Sequence, residues 1–201
     1  MRVLIACEFS GTVREAFRAL GRDAWSCDLL PSADHSPFHY VGDCRWFAEN
    51  VEPWDLMIAH PPCTYLASSG LHWNKRRPER AAWTEQALNF VQDLMCLHGI
   101  IPRIAIENPI GCISTRIRKP DQIIHPWRFG HDASKATCLW LQGLPPLVPT
   151  DVLPGGRAAR RANQTASGQN KLPPSPDRWA LRSITYPGIA AAMAAQWGGQ
   201  A

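Results

Sequence analysis

The sequence predicts an α/β protein in which a mostly parallel sheet carries helices on both faces. Three observations lead to this fold class. Strand-like and helical segments alternate along the chain, the first strand leads through a glycine turn into a helix, and acidic residues follow several of the strands. Such alternation is typical of parallel sheets, because their crossover connections are usually helices. A chain of 201 residues is long enough to build one core of this kind.

The N-terminal elements carry the clearest pattern. The run "RVLIAC" (2–7) is apolar and β-branched and predicts the first strand. "GTVREAFRAL" (11–20) has helical spacing and stops at Gly21. The next strand, "RDAWSCDLL" (22–30), ends near Asp28. A strand, a glycine turn, a helix and a second strand with an acid at its tip are typical of the start of a nucleotide-binding α/β unit.

The alternation continues through the rest of the chain. "WDLMIAH" (54–60) predicts a buried strand, and 78–99 is a long amphipathic helix with proline near its start and glycine at its end. Two more strands are predicted, at 103–109 and 135–143. From 145 to 177 the composition shifts to Pro, Gly, Ser and small polar residues, which makes a segment longer than an ordinary loop and therefore functional or disordered. A closing helix is predicted at 187–197.

The composition excludes several classes of protein. A hydrophobic content of 45% with 19% charged residues is ordinary for a soluble globular protein. No apolar run approaches the roughly 20 residues that a membrane-spanning helix needs. The N-terminal "MRVLIACEFSG" is typical of a first strand rather than a signal peptide, because an acid follows the apolar run at once. We therefore expect a cytoplasmic protein without a membrane partner, and most simply a monomer.

The seven cysteines argue against a disulfide framework and against a metal site. They form no C-x-x-C pair, so neither a zinc ribbon nor a set of disulfides is indicated. Most lie in or beside apolar runs and are predicted to fill the core as small apolar side chains. Cys63 is the exception, because two consecutive prolines in "DLMIAHPPCTY" fix the backbone that presents it.

Positive charge is concentrated in three clusters, although the net charge is only +4. These are "NKRRPER" (74–80), "TRIRK" (115–119) and "GRAARR" (156–161). Lysine and arginine contacts with a phosphate backbone release condensed counterions, so DNA is a plausible partner for such clusters. A solvated surface would explain the charge equally well, and the charge alone does not decide between the two.

Candidate functional residues fall where the predicted strands end. Phe9 to Gly11, Asp28, His60 to Cys63, and Glu107 with Asn108 each follow a strand. The carboxyl ends of parallel strands meet at one edge of a sheet, where α/β proteins bind their ligands. We therefore expect these residues to converge on one site.

Read together, these motifs resemble the S-adenosylmethionine-dependent DNA cytosine-5 methyltransferases. "CEFSGTVREAF" resembles the family's first-strand F-x-G-x-G loop, "GDC" (42–44) its Gly-Asp turn, "DLMIAHPPCTYLASSG" its Pro-Cys segment and "IAIENP" its Glu-Asn motif, in the same order. The resemblance covers about residues 3–143, is weaker for the closing helix, and is nearest to small phage-type members. It implies a Rossmann-like class I methyltransferase fold, S-adenosylmethionine as cofactor, and DNA as substrate.

The resemblance also implies roles for individual residues. Cys63 is expected to be the nucleophile and Glu107 its acidic partner at ring nitrogen 3 of cytosine. Phe9 is expected against the adenine, Asp28 at the ribose hydroxyls and Asp43 at the adenine amino group. The full set of expected cofactor-binding residues is Phe9, Ser10, Gly11, Thr12, Asp28, Asp43, Cys44, His60 and Pro61. The expected substrate-binding residues are Pro62, Asn108, Lys135, Arg76, Arg116 and Arg118, the three arginines as contacts to DNA phosphates.

The expected chemistry explains why these residue types are needed. Carbon 5 of cytosine is a poor nucleophile, and a thiolate that adds to carbon 6 makes the ring electron-rich. A carboxylic acid near nitrogen 3 stabilises the negative charge that develops there. Burial behind a strand raises a carboxyl pKa, so we expect Glu107 to be protonated more readily than an exposed glutamate. The target base must also leave the duplex to be reached.

The chain departs from the family in four places. Val13 replaces the second glycine of the first loop, and His60 stands where the family has a small residue, so its role is open between loop support and catalysis. The family's Q-x-R-x-R strand is not visible, which leaves Lys135 as the basic candidate there. Only residues 145–177 are available in place of a target-recognition domain, between a catalytic unit (1–144) and a returning helix (178–201). We therefore predict relaxed or short-site specificity, or DNA binding through the loop at 75–80.

Four alternatives remain beside this reading. An amino-methyltransferase would leave the Glu-Asn-Pro motif unexplained, and its aromatic position holds a cysteine. A transferase of the same fold that delivers another group to carbon 5 would share the nucleophile. An inactive DNA-binding module is disfavoured by the presence of both Cys63 and Glu107. A nicotinamide oxidoreductase is least favoured, since G-x-G-x-x-G is absent.

Overall fold

The computed structural model describes residues 1–51, 53–168 and 170–199. Within these residues the strands are β1 Arg2–Ala6, β2 Asp23–Asp28, β3 His39–Val41, β4 Leu56–Ala59, β5 Ile104–Pro109, β6 Gln122–Ile124 and β7 Thr137–Gln142. The α-helices are α1 Thr12–Arg18, α2 Cys44–Asn50, α3 Ser68–Leu71, α4 Pro78–Cys96, α5 Ile113–Arg116, α6 Arg178–Ser183 and α7 Pro187–Trp197.

The described strands form one seven-stranded sheet in the order β3-β2-β1-β4-β5-β7-β6. The first five are parallel, whereas β7 is antiparallel to both of its neighbours, β5 and β6. This mostly parallel sheet with helices on both faces confirms the predicted Rossmann-like α/β fold. The reversal of β7 brings its first residue, Thr137, beside Pro109 at the last position of β5. The start of β7, rather than its end, therefore borders the edge where the parallel strands end.

Two apolar layers cover the two faces of the sheet. Along β1, Leu4 and Ala6 face one layer, which includes α2 and α4, while Val3 and Ile5 face the other, which includes α1 and α7. This is the period-two alternation of a strand that is buried on both sides. The four residues of β4 are fully buried. The central strands are thus held rigidly, and so are the loops that follow them.

Several elements differ from the sequence prediction. β3 and β6, with three residues each, and the short helices α2, α3, α5 and α6 were not predicted. β5 ends at Pro109 as predicted, with Asn108 and Pro109 still paired with β7. Segments of three to seven residues span at most about two helical turns, so the repeated pattern that reveals α4 is absent from them.

The segment 145–177 packs along the sheet edge and α7. The side-chain amide of Gln122 in β6 makes two hydrogen bonds with the backbone of Leu147, at 2.7 and 2.8 Å. Gln196 in α7 does the same with Val148, again at 2.7 and 2.8 Å. The described residues of this segment contain isolated bridges and one three-residue 3-10 turn, at Gly156–Ala158, but no longer element.

The cysteines are unpaired, and most of them are buried. All seven cysteines are free thiols, and four of them, Cys27, Cys44, Cys112 and Cys138, are buried as predicted for core fillers. Cys96 is instead exposed at the end of α4. In the described parts of the chain, no helix combines the length and apolarity that crossing a bilayer requires.

Candidate functional site

The loop after β4 carries Cys63 and is fastened to the end of β5. Asn108, 1% exposed, donates a hydrogen bond of 2.7 Å from its side-chain amide to the carbonyl oxygen of Pro61. Pro61 is buried and Pro62 is exposed, so the two prolines span the boundary between core and surface. Asn108, predicted to bind substrate, thus holds the cysteine loop directly, which orders Cys63 relative to β5.

A second clamp lies on the far side of the cysteine loop. The backbone amide of Ser68 donates to Ile110, at 3.0 Å, and the amide of Cys112 donates to Leu66, at 2.9 Å. Gly111 lies between these bonds, where a β-carbon would collide with the carbonyl oxygen of Leu66. The glycine is needed because two backbones approach here more closely than any side chain permits.

Replacing Gly111 by alanine should destabilise the protein, because either the cysteine loop or the loop after β5 must shift. We expect the free energy of unfolding to fall by about 1–3 kcal/mol, as in other overpacked sites. Gly99→Ala is the matched control, since a β-carbon there meets nothing within 4 Å, and its effect should stay within about 0.5 kcal/mol. Urea denaturation of both variants measures the difference. Equal stabilities would contradict the close approach.

Glu107 and His60 form a buried pair at the end of the central strands. Nδ1 of His60 lies 3.0 Å from Oε2 of Glu107, and the two side chains are 9% and 15% exposed. Nε2 of His60 is buried and has no hydrogen-bond partner among the described residues. His60, whose role was open from the sequence, is therefore the direct partner of the predicted acid.

The expectation that burial leaves Glu107 with a raised pKa is wrong. Burial does act in that direction, but the hydrogen bond from His60 and the positive charge of Lys135 outweigh it, and the pKa of Glu107 lies below its ordinary value. A hydrogen bond to the ionised carboxylate favours the charged form. Glu107 is thus ionised at neutral pH, and as an ionised carboxylate it accepts its hydrogen bond from Nδ1 of His60.

The Cys63 thiol lies within the field of the same groups. Burial raises its pKa above the ordinary value, and the negative charge of Glu107 raises it further. The positive charges of Lys135 and Arg182 lower it. The predicted nucleophile and the predicted acid are therefore close enough to influence each other, although they are far apart in sequence.

Lys135 reaches the site because β7 runs backwards. It precedes Thr137, which pairs with the last residue of β5, and its side chain borders a cleft together with Glu107, Thr137 and Tyr186. Its Nζ donates a hydrogen bond of 3.1 Å to the carbonyl oxygen of Arg182. The prediction that places Lys135 near the reacting base is consistent with this position.

The residues predicted to bind a cofactor gather at the ends of β1, β2 and β3. The amide of Glu8 donates to Cys27 at 3.2 Å, and the amide of Gly42 donates to Asp28 at 2.9 Å. Cys44, at the start of α2, lies 3.8 Å from Cys7, sulfur to sulfur. Cys7 has a left-handed backbone with φ 58°, a conformation that non-glycine residues adopt mainly in turns and functional sites.

Glu8 is a site residue that the sequence analysis missed. Its carboxylate accepts hydrogen bonds from the backbone amides of Val13 and Arg14, at 2.7 and 3.2 Å, and it is 5% exposed. Ser10 donates to the same carboxylate at 3.3 Å and accepts from the amide of Thr12, also at 3.3 Å. The only sign of Glu8 in the sequence is that an acid stands within the loop "CEFSG". Glu8 thus accepts hydrogen bonds from backbone amides in the first turn of α1, and these bonds hold the preceding loop in place.

Gly11 has a structural reason for being glycine. Its φ is 73°, and a β-carbon would collide with the guanidinium of Arg14 and approach the carboxylate of Asp34. These two side chains form an ion pair, with Arg14 fully buried. The turn therefore accommodates a buried arginine that pairs with an exposed aspartate, whatever ligand the loop binds.

A small cleft lies between this loop and the Glu107 region. Cys7, Glu8, Phe9, Ser10 and His60 border it. Ser183 and Thr185, which follow α6, close its other side, and Thr185 also borders the cleft beside Glu107. Trp179 of α6 packs against Phe9, with ring centroids 5.7 Å apart. The sequence analysis missed α6, whose six residues show no clear period.

The remaining predicted site residues have other partners. Asp43 caps α2 by accepting from the Arg45 amide at 2.9 Å and pairs with the Arg45 side chain, which lowers its pKa. Asp28 accepts from the amide of Leu30 at 3.0 Å, and burial raises its pKa. Arg116 makes a two-pronged ion pair with Glu85, at 2.9 and 2.8 Å.

Arg118 lies away from the other predicted site residues. It pairs with Asp121 at 2.8 Å and donates to the carbonyl oxygen of Leu141 at 3.1 Å. Leu141 is paired with Ala105, near the beginning of β5, whereas Glu107 is nearer its end. Of the three arginines predicted to contact DNA phosphates, only Arg76 forms no ion pair with a carboxylate of the described residues.

Among the comparisons with known proteins, only the search of solved structures finds matches. No family model matches the chain, and no curated protein matches it. A solved structure from E. coli, described as a candidate DNA modification methyltransferase encoded within a prophage, covers 77% of this chain with 14% sequence identity and a TM-score of 0.46. The match takes in 52% of that protein, so this chain spans about half of its length. A likeness this distant does not indicate a function.

Proposed function

We propose that this protein is an S-adenosylmethionine-dependent DNA methyltransferase that acts on carbon 5 of cytosine through a covalent adduct with Cys63. One observation carries the proposal. A thiol on a loop fixed by Asn108 lies within electrostatic range of a buried carboxylate, Glu107, at the edge where the central strands of a Rossmann-like sheet end. A core thiol would need neither the two prolines nor this acidic partner.

Cys63 begins the reaction as a thiolate. It attacks carbon 6 of cytosine, a carbon–sulfur bond forms, and the electrons of the 5,6 double bond move toward nitrogen 3. Carbon 5 thereby becomes nucleophilic and accepts a methyl group. Loss of the proton on carbon 5 then restores the double bond and releases the thiolate. Because burial keeps the pKa of the thiol high, transfer should accelerate as the pH rises from neutral.

Glu107 and His60 act together at nitrogen 3. The negative charge that develops there needs a proton or a hydrogen-bond donor, and an ionised carboxylate cannot donate. His60 holds the missing proton on Nδ1, 3.0 Å from Glu107. Glu107 takes that proton and passes it to nitrogen 3 as the thiolate adds, while Nε2 of His60 takes up a proton so that the imidazole stays neutral. His60 is thus a positioning residue and proton reservoir, which is a reason for histidine where the family has a small side chain.

The residues at the ends of β1 and β2 fit the cofactor. Phe9 offers an aromatic face, Asp28 is an acid at the expected strand end, and the buried Nε2 of His60 has no partner within the described residues beside the Phe9 loop. Asp43 and Cys44 would border the adenine, with Ser10, Gly11, Thr12 and Pro61 around them. When bound, the cofactor supplies a sulfonium whose methyl group is electrophilic.

Product analysis tests this function. The full chain is incubated with S-adenosylmethionine carrying a labelled methyl group and with mixed-sequence DNA, and the DNA is digested to nucleosides. We expect the label in 5-methylcytosine. Label in an N-methylated base would favour an amino-methyltransferase instead. Absence of transfer together with intact DNA binding would favour an inactive binding module, and a transferred group of different mass would identify the related transferase.

A further inference from the structure

Two exposed tryptophans lie beside the loop that carries Cys63. Trp73 and Trp83 are 42% and 43% exposed, although tryptophan is normally among the better buried residues. Trp83 packs against Tyr65, two positions after Cys63, with ring centroids 5.3 Å apart. We call the group of Tyr65, Trp73, Arg76, Arg77 and Trp83 the tryptophan–arginine surface.

This surface is tied rigidly to the cysteine loop. Arg80 donates hydrogen bonds to the carbonyl oxygens of Thr64, at 2.6 Å, and Gly70, at 3.4 Å, and its guanidinium lies 4.8 Å from the centroid of Tyr65. Thr84 donates to the carbonyl oxygen of Tyr65 at 3.0 Å. Asn74, beside Trp73, donates to the Thr84 hydroxyl at 2.9 Å. A ligand bound on the surface would therefore hold a fixed position relative to Cys63.

Two arginines lie beside the Trp73 ring and are not neutralised by carboxylates of the described residues. The guanidinium groups of Arg76 and Arg77 lie 5.5 and 5.8 Å from the centroid of Trp73. Neither forms an ion pair with a carboxylate in 1–51, 53–168 or 170–199. Arg116 and Arg45, by contrast, are both neutralised by carboxylates. The tryptophan–arginine surface thus combines flat apolar faces with free cations, which suits bases and phosphates.

We propose that this surface binds unpaired nucleotides and that the substrate of the protein is single-stranded DNA. Bases stack on aromatic side chains only when they are free of their own stack, and basic groups beside the rings follow the backbone. Reading a duplex would require an element that enters a groove. The described residues of 145–177, where such an element would lie, contain only a 3-10 turn and isolated bridges. The identity of the reacting base rests on the proposed function, whereas the binding surface does not.

Fluorescence anisotropy with the full chain tests the proposal without any transfer step. The probe is a labelled mixed-sequence oligonucleotide, used alone and annealed to its complement. We expect the single strand to bind at least about tenfold more tightly than the duplex. Trp73→Ala and Trp83→Ala should each weaken single-strand binding about 5- to 100-fold, the range for loss of one base–aromatic stack. Arg76→Gln and Arg77→Gln should each reduce the salt dependence, by about 0.7 in the slope of log K against log salt.

Trp46→Ala is the matched control, because Trp46 is 51% exposed but stacks on Tyr40, away from the cysteine loop. Its affinity for the single strand should equal that of the unchanged protein. Circular dichroism checks that each variant is folded. Equal or tighter binding of the duplex would overturn the proposal, as would undiminished single-strand binding by both folded tryptophan variants. Single-strand binding without transfer to cytosine would refute the proposed function while leaving the surface supported.

Discussion

Replacing Cys63 by serine abolishes transfer to cytosine, with a loss on the order of 10⁴-fold or more, since removal of a covalent nucleophile leaves only residual catalysis. Serine occupies nearly the same space and leaves in place the loop hydrogen bonds donated by Asn108, Ser68 and Cys112. Its hydroxyl is far less acidic than a thiol and does not supply a competent anion. The measurement is the initial rate of label incorporation into 5-methylcytosine, with circular dichroism to check the fold.

Trapping separates a covalent role for Cys63 from a structural one. DNA that contains 5-fluorocytosine has no proton on carbon 5 to lose, so the adduct persists after the methyl group has been added. The unchanged protein should yield a denaturant-resistant protein–DNA complex, and Cys63→Ser should yield none. Cys96→Ser is the control, because that thiol is exposed at the end of α4, and it should behave like the unchanged protein. A complex formed equally by Cys63→Ser would assign the nucleophile to another residue.

Local patterns predicted the parts of the fold that are long or strongly apolar. β1, β4 and β5 contain unbroken apolar runs that lead into the motifs bordering the site, and α4 is long enough to show a helical period. The direction of β7 could not be predicted, because alternation of apolar residues is the same for a parallel and an antiparallel strand. Since that direction brings Lys135 beside Glu107, part of the site's electrostatics is decided by topology rather than by local sequence.

The protonation state of Glu107 could not be predicted from the sequence, for a related reason. His60 and Glu107 are separated by 47 positions, and only the pairing of β4 with β5 brings them together. Burial alone predicts a raised carboxyl pKa, whereas the partner supplied by the neighbouring strand reverses the direction. The motifs could therefore identify Cys63 and Glu107 as candidates, but not where the proton between Glu107 and His60 resides.

Replacing Glu107 by glutamine should have two effects of opposite sign. Transfer to cytosine should fall about 10²- to 10⁴-fold, because the amide cannot relay a proton to nitrogen 3. The Cys63 thiol should become more reactive, since the negative charge of Glu107 raises its pKa. Removing a nearby negative charge stabilises the thiolate, so the thiol pKa falls and more thiolate is present at a given pH. Alkylation of Cys63 by iodoacetamide should consequently be faster in the variant near neutral pH, with the site of modification read by mass spectrometry.

The opposite signs are what make the Glu107→Gln result decisive. A variant that merely loosened the loop could also lose transfer, but its thiol would not show a pH–rate profile for alkylation displaced as a whole to lower pH. Glu85→Gln is the matched control, because Glu85 is an exposed glutamate that pairs with Arg116, and both of its rates should remain unchanged. If Glu107→Gln kept full transfer, the acid would have no part in the reaction. If transfer fell while the alkylation profile stayed where it is, Glu107 would act on the base without affecting the Cys63 thiol, and the electrostatic coupling between the two side chains would be refuted.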